Sequence, residues 1–197
     1  MKFLNYFEYN SYVTLTLFFI SFIILILGYL TRGRIIDHLF STERASLLNP
    51  LTYIRLFIHI LGHSDWRHFR NNYLIILLLG PMIEEKYGWI NCLIMILITS
   101  FITGIVNFVR GNTNLKGASN IVFMFIVLSG FVNVTSNKIP LTLVLITLFY
   151  LIDEIKDIGK NDSVAHYGHI TGAICGLVFG FLCLKGSLID IIINVIR

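Results

Sequence analysis

The sequence predicts an all-α membrane protein, a bundle of six transmembrane helices. Three observations lead there. Of 197 residues, 56% are hydrophobic, and the mean hydropathy is +0.79. Charged residues make up 13%, about half the roughly 25% of an ordinary soluble domain. A helix needs roughly 20 residues to cross about 30 Å of hydrocarbon, so six crossings use about 120 residues and leave loops but no soluble domain. The composition excludes a soluble globular protein. It also excludes a disordered one, which needs low hydrophobicity and high charge.

The spans follow in order. The first reads from Val13 to Leu30 and stops at Thr31 with Arg32 and Arg34. Residues 31–63 are too polar to span and too apolar for an ordinary loop, so an interfacial or half-sunk segment is expected there. Within it, Asn49-Pro50 reads as an N-cap with proline at the first helical position, starting a short helix through Leu61. The second span begins near Ser64, a good N-cap, and runs to Lys86. Gly80-Pro81 should kink it. Gly88 separates it from the third span, 89–109. A Gly- and Asn-rich loop leads to a short fourth span, 119–134, and then a fifth, 140–152. A charged loop, 153–163, precedes the sixth span, Val164 to Leu184. The organisation expected is therefore an N-terminal segment 1–12, a six-span core 13–185 and an amphipathic tail 186–197 lying on the membrane.

The remaining bulk properties restrict partners. A net charge of +4 and a pI near 9.0 fit anionic lipid head groups. The basic residues are dispersed without interleaved aromatics, which argues against nucleic acid. Cys92, Cys175 and Cys183 lie inside apolar runs and read as small packing residues, not a disulfide framework. The first apolar run has no small-residue cleavage site, so no removable signal peptide is expected. The histidines include no HExxH, and no carboxylate accompanies the His pairs, so no metal and no cofactor is expected.

Ionisable and strongly polar groups inside spans are functional candidates by default. Here they cluster. The second span carries His68 and Asn72, with His63 just before it. The fourth opens with Gly117-Ala118-Ser119-Asn120, and the sixth carries His166 and His169. Consecutive spans alternate in direction, so the starts of spans two, four and six share one side of the membrane. At about 1.5 Å per residue the three clusters reach similar depth. A serine becomes a good nucleophile beside an imidazole base, and a tetrahedral oxyanion needs preorganised donors. Ser119 as nucleophile, His169 as base, and His68, Asn72 and the Ser119 amide as oxyanion hole make a complete set for acyl transfer. No carboxylate is near His169 in sequence, so a Ser-His dyad is expected over a triad. His166 is the alternative base. A transporter or channel would spread polar groups through the whole bilayer instead of gathering them at one depth.

At these residues the chain resembles the rhomboid family of intramembrane serine proteases. His63-Ser-Asp-Trp-Arg-His68-Phe-Arg-Asn-Asn72 resembles the family's HxxxxHxxxN segment. Ile54-Arg55 resembles its Trp-Arg pair, with Ile for Trp. Gly80-Pro-Met-Ile-Glu84-Glu85-Lys-Tyr-Gly88 resembles GxxxExxxG, Gly117-Ala-Ser119 the start of GxSG, and His169-Ile-Thr-Gly172-Ala-Ile-Cys-Gly176 HxxGxxxG. The resemblance implies cleavage of transmembrane-anchored protein substrates within the lipid bilayer. It implies a structural tie for Glu84, and close packing through Gly172, Gly176 and Gly180. It also implies a cytoplasmic N-terminus and an active site opening to the outer face of the cell membrane. The charge count alone favours the reverse: with the N-terminus inside, Lys2, Lys86, Lys138, Lys185 and Arg197 are the inner share, 5 of 15. Two positions depart from the family pattern. Asn120 replaces the second glycine of GxSG, where a side chain either narrows the approach or adds its amide to the donors. Val127 and Leu128 stand where the family often has a small residue. A rhomboid-like pseudoprotease that binds membrane proteins without cutting them is the alternative function. The fifth span with loop 153–163 is the candidate lateral gate.

Overall fold

The computed structural model describes residues 8–110, 114–134, 138–156 and 163–184, with Gly186, Leu188 and Ile193 beyond them. Eight α-helices are present among these: α1 Tyr12–Leu30, α2 Arg34–Leu39, α3 Pro50–Ile58, α4 Trp66–Tyr87, α5 Trp89–Arg110, α6 Ser119–Ser129, α7 Leu141–Lys156 and α8 Ser163–Cys183. A 3-10 turn, His59–Leu61, extends α3. The described residues contain no strand; Thr42 and Leu115 form one isolated antiparallel bridge.

Local signals account for most helix ends. Arg32 and Gly33, at φ 53° and 83°, turn the chain out of α1 into α2. The Asn49 side chain accepts from the Leu51 N–H at 3.0 Å, with Pro50 opening α3, as the sequence suggests. The cap of α4 is one residue later than expected. Asp65, not Ser64, accepts from the His68 N–H at 2.9 Å. An ionised carboxylate is the stronger acceptor for a helix N-terminus, which frees the Ser64 hydroxyl for other partners. The helix then continues through Pro81 to Tyr87. Gly88, at φ 82°, makes the sharp passage into α5.

Three described helices are long and apolar enough to cross a membrane: α1, α5 and the His166–Cys183 part of α8. The expected six are thus not all matched by length and composition. Polar residues in the first turns of α4 dilute its apolar stretch. The fourth span is shorter than the expected 119–134, because α6 ends at Ser129 after 11 residues. That is ~16 Å of helix at about 1.5 Å per residue. Every residue from Asn120 to Leu128 is buried, so α6 is sheathed by protein. A helix apolar on all sides is what such a central position requires. The 157–162 part of the candidate gate loop and most of the tail 186–197 lie outside the described residues.

Helices α1 and α4 run antiparallel. At one end the Glu84 carboxylate accepts from the Val13 and Thr14 N–H groups at 3.0 and 2.6 Å. In the middle the Tyr73 hydroxyl meets Ser21 Oγ at 2.6 Å. At the other end the Trp66 N–H donates to the Tyr29 hydroxyl at 2.8 Å. Helices α6 and α8 run parallel. A Cβ added to Gly172 would stand 2.0 Å from the Asn120 carbonyl oxygen, one on Gly176 2.7 Å from that of Met124, and one on Gly180 2.4 Å from the Phe131 ring. Contacts that advance in step along both chains mean the same direction. They also mean that the two backbones approach where side chains are missing, as small-residue stripes permit.

Candidate active site

The expected nucleophile stands at the start of α6. Ala118 precedes it, and α6 has no side-chain cap. The first N–H groups of a helix have no intrahelical acceptor, so an uncapped start leaves donors beside Ser119. The loop leading there is fixed by backbone hydrogen bonds. Thr42 and Leu115 exchange N–H···O bonds of 2.9 and 3.0 Å, and the Gly117 N–H donates to the His59 carbonyl at 3.0 Å. The Asn107 side chain donates to the Thr42 carbonyl at 2.7 Å, and Lys116 pairs with Asp37. Segment 31–63 is therefore a scaffold for the Ser119 loop, a role the composition did not suggest.

Gly117 has a φ of 111°, which side-chain-bearing residues rarely adopt. A Cβ there would lie 2.6 Å from Nε2 of His68 and 3.5 Å from Nδ2 of Asn72. Both expected oxyanion residues of α4 thus border the loop two residues before Ser119. One turn separates them on the same face of α4.

Asn72 is oriented by His63. Its Nδ2 donates to His63 Nε2 at 3.1 Å, so that nitrogen carries a lone pair. The proton is then on Nδ1, which donates to the Leu61 carbonyl at 3.3 Å. Burial, with the neighbouring His68 second, pushes the His63 imidazole down to about 3. The ring is neutral at ordinary pH, and its hydrogen bonds have one arrangement.

His169 comes from α8. Its ring stacks on Phe123 with centroids 4.2 Å apart and planes 9° from parallel. Phe123 is four residues after Ser119, hence on the same face of α6. Gly172 against Asn120 fixes that neighbourhood from the backbone. His68 and His169 lie within electrostatic reach of each other. His166 meets His169 edge-on at 6.2 Å, one turn nearer the helix start. Asn120 is 2% exposed, and its side-chain oxygen and nitrogen have no hydrogen-bond partner among the described residues. It is the Asn120 backbone that meets Gly172. A cavity of about 310 Å³ adjoins the cluster, lined in part by Tyr29, Arg32, Asp37, His63, Ser64 and Lys116.

The structure gathers Gly117, Ser119, Asn120, His68, Asn72 and His169 where α4, α6 and α8 begin. Gly176 supports from deeper along α8, and Glu84 acts at the far end of α4. Phe123 and the Ser64–Asp65 hydrogen bond were not anticipated. The i+4 spacing from Ser119 is a signal that could have found Phe123. Among the described residues no group of three His, Cys, Asp or Glu is placed to hold a metal. A family model described as Rhomboid domain matches residues 50–186. No curated protein matches the chain.

Proposed function

The chain belongs to the rhomboid family, most of whose members are intramembrane proteases, and we propose that it is one of them, a serine protease working through a Ser119–His169 dyad. The observation that carries this is the convergence on the start of α6. Gly117 abuts His68 and Asn72, while His169 stacks one turn past Ser119.

The chemistry is acyl transfer. The Ser119 oxygen attacks the scissile carbonyl as the His169 imidazole takes the hydroxyl proton. Negative charge collects on the former carbonyl oxygen, which His68, Asn72 and the Ser119 N–H receive. His169 returns the proton to the leaving amine as the C–N bond breaks. Water then attacks the acyl-serine, losing a proton to His169, which passes it to the Ser119 oxygen as that C–O bond breaks and the second product leaves. The substrates are transmembrane-anchored proteins. Their helices must unwind locally, because intrahelical hydrogen bonds occupy a helix's carbonyls. Six crossings, a cytoplasmic N-terminus and an outward-facing site belong to the same reading, with α7 as the lateral gate.

Fluorophosphonate labelling is the direct test because it needs no known substrate. Label confined to Ser119, lost in Ser119→Ala and reduced at least a hundredfold in His169→Ala, is expected from base catalysis of about that size. Labelling that survives Ser119→Ala sinks the mechanism. A second reading, a family member that binds membrane proteins without cutting them, draws on Asn120, a buried amide beside the nucleophile. An unlabelled Ser119 in folded wild-type protein favours that reading.

A further inference from the structure

A short chain of hydrogen bonds at the head of α4 bears on the charge of His68, and rests on the oxyanion role proposed above. Ser64 Oγ is 2.8 Å from Asp65 Oδ2 and 3.2 Å from His68 Nδ1. The other carboxylate oxygen, Oδ1, accepts from the His68 N–H at 2.9 Å. That N–H, then the Ser64 hydroxyl, hold the Asp65 carboxyl below the usual carboxylate range. Asp65 is therefore ionised and accepts only. Ser64 has a single hydroxyl hydrogen, and the shorter, charge-assisted bond to Asp65 claims it. What Ser64 turns toward His68 is a lone pair, so Nδ1 of His68 must be the donor.

This has a consequence at the other ring nitrogen. A neutral imidazole with its proton on Nδ1 carries a lone pair on Nε2. The Cε1–Nε2 edge of the ring faces Gly117, toward the Ser119 loop. A lone pair there repels an oxyanion. We propose that Ser64 and Asp65 are positioning residues which commit His68 Nδ1 to donation, so that His68 serves the oxyanion only as a doubly protonated imidazolium, with Asp65 as its counter-charge.

The surroundings of the ring act on its charge in both directions. His63 is 5.0 Å away, centroid to centroid, and neutral. Burial of the ring weighs most against a second proton, and Lys116, before α6, and His169, on α8, are basic neighbours that oppose it too. Asp65 is the negative group among those acting on His68. His169 must be neutral to accept a proton, whereas His68 must be charged, so the two imidazoles are needed in opposite states. Unequal surroundings are what separate such a pair.

The test uses the full chain in lipid nanodiscs. Ring 15N chemical shifts, assigned to His68 by its loss in His68→Gln, distinguish the tautomers. The proton of neutral His68 is expected on Nδ1 in wild type, with a tautomer mixture in Ser64→Ala and recovery in Ser64→Thr. The rate of fluorophosphonate labelling across pH gives the second readout. Asp65→Asn retains a good N-cap but removes the charge. It should slow labelling roughly threefold, within the scale of an exposed charge pair, and move the high-pH decline about half a unit lower. A neutral His68 protonated on Nε2 overturns the assignment, as does an Asp65→Asn pH profile superimposable on wild type. The tautomer measurement does not depend on Ser119. A protein with the expected 15N pattern but no Ser119 labelling refutes the protease reading and leaves the hydrogen-bond chain standing.

Discussion

His63 shows how one side chain is locked by its two neighbours. Its Nδ1–H is committed to the Leu61 carbonyl and its Nε2 to Asn72. A proton added to Nε2 breaks the bond that aims Asn72. Its pKa lies near 3 in the folded chain against an ordinary value of 6.5. Between those values the unfolded chain binds a proton that the folded chain refuses. Its contribution to stability is therefore complete above pH 6.5 and is lost as pH falls toward 3. Melting temperature in detergent should drop over that window, and His63→Gln should flatten part of the slope. An unchanged slope in the variant contradicts the assignment. The candidate residues His68, Asn72, Ser119 and His169 were picked out as polar groups at the starts of alternate spans. The His63–Asn72 bond and the Ser64–Asp65 chain were not, because both depend on how residues 62–65 turn before α4. Spacing along a helix says nothing about that turn.

At the scale of elements, the α6–α8 contact is defined by what is missing. A methyl on Gly172 would meet the Asn120 carbonyl at 2.0 Å, whereas one on Gly168 would find Thr103 at an ordinary 3.7 Å. Gly172→Ala must push α8 off α6. It should cost about 1–3 kcal/mol, as overpacking does, and abolish labelling of Ser119. Gly168→Ala, a single position from His169, should fold as well as wild type or better, since alanine is the stronger helix former by about 1 kcal/mol. Equal losses in the two variants, by denaturant titration and labelling, would falsify the packing account. The sequence showed the glycine stripe and α8 nearly to its ends. It overestimated α6, since hydrophobicity continues past Ser129 while the helix does not. Apolar content reports burial, and residues following a buried helix are often buried too.

Across the whole molecule, Glu84 ties one end of α4 to the start of α1. Its two oxygens serve backbone N–H groups 71 and 70 residues earlier. Glu84→Ala leaves both donors and a cavity, and should cost about 3 kcal/mol. Glu84→Gln keeps one acceptor and should cost less. Stability falling in that order, measured by denaturant titration in mixed micelles, supports the tie; two variants as stable as wild type remove it. That α4, α6 and α8, the expected spans two, four and six, begin together was legible from parity. Whether each long apolar run makes a full crossing was not. Among the described residues three helices qualify by length and composition, and the central α6 is enclosed by protein. Segment 31–63 read only as an interfacial or half-sunk stretch, because its hold on the Ser119 loop is made largely by the backbone of Thr42 and His59, with the Lys116–Asp37 pair beside it.

The parallel pairing of α6 with α8 also sets an order of events during synthesis. A ribosome delivers α4 and α6 first, so the proposed nucleophile enters the membrane with its oxyanion partners already beside it and its base still unmade. Roughly 50 residues separate Ser119 from His169, or about 3–10 s of translation at about 5–20 residues per second. Through that interval α7 must insert and turn back before α8 can seat its glycines. A nascent chain of this design carries half of the proposed site among other newly made membrane proteins. Only when α8 is made is the proposed site whole.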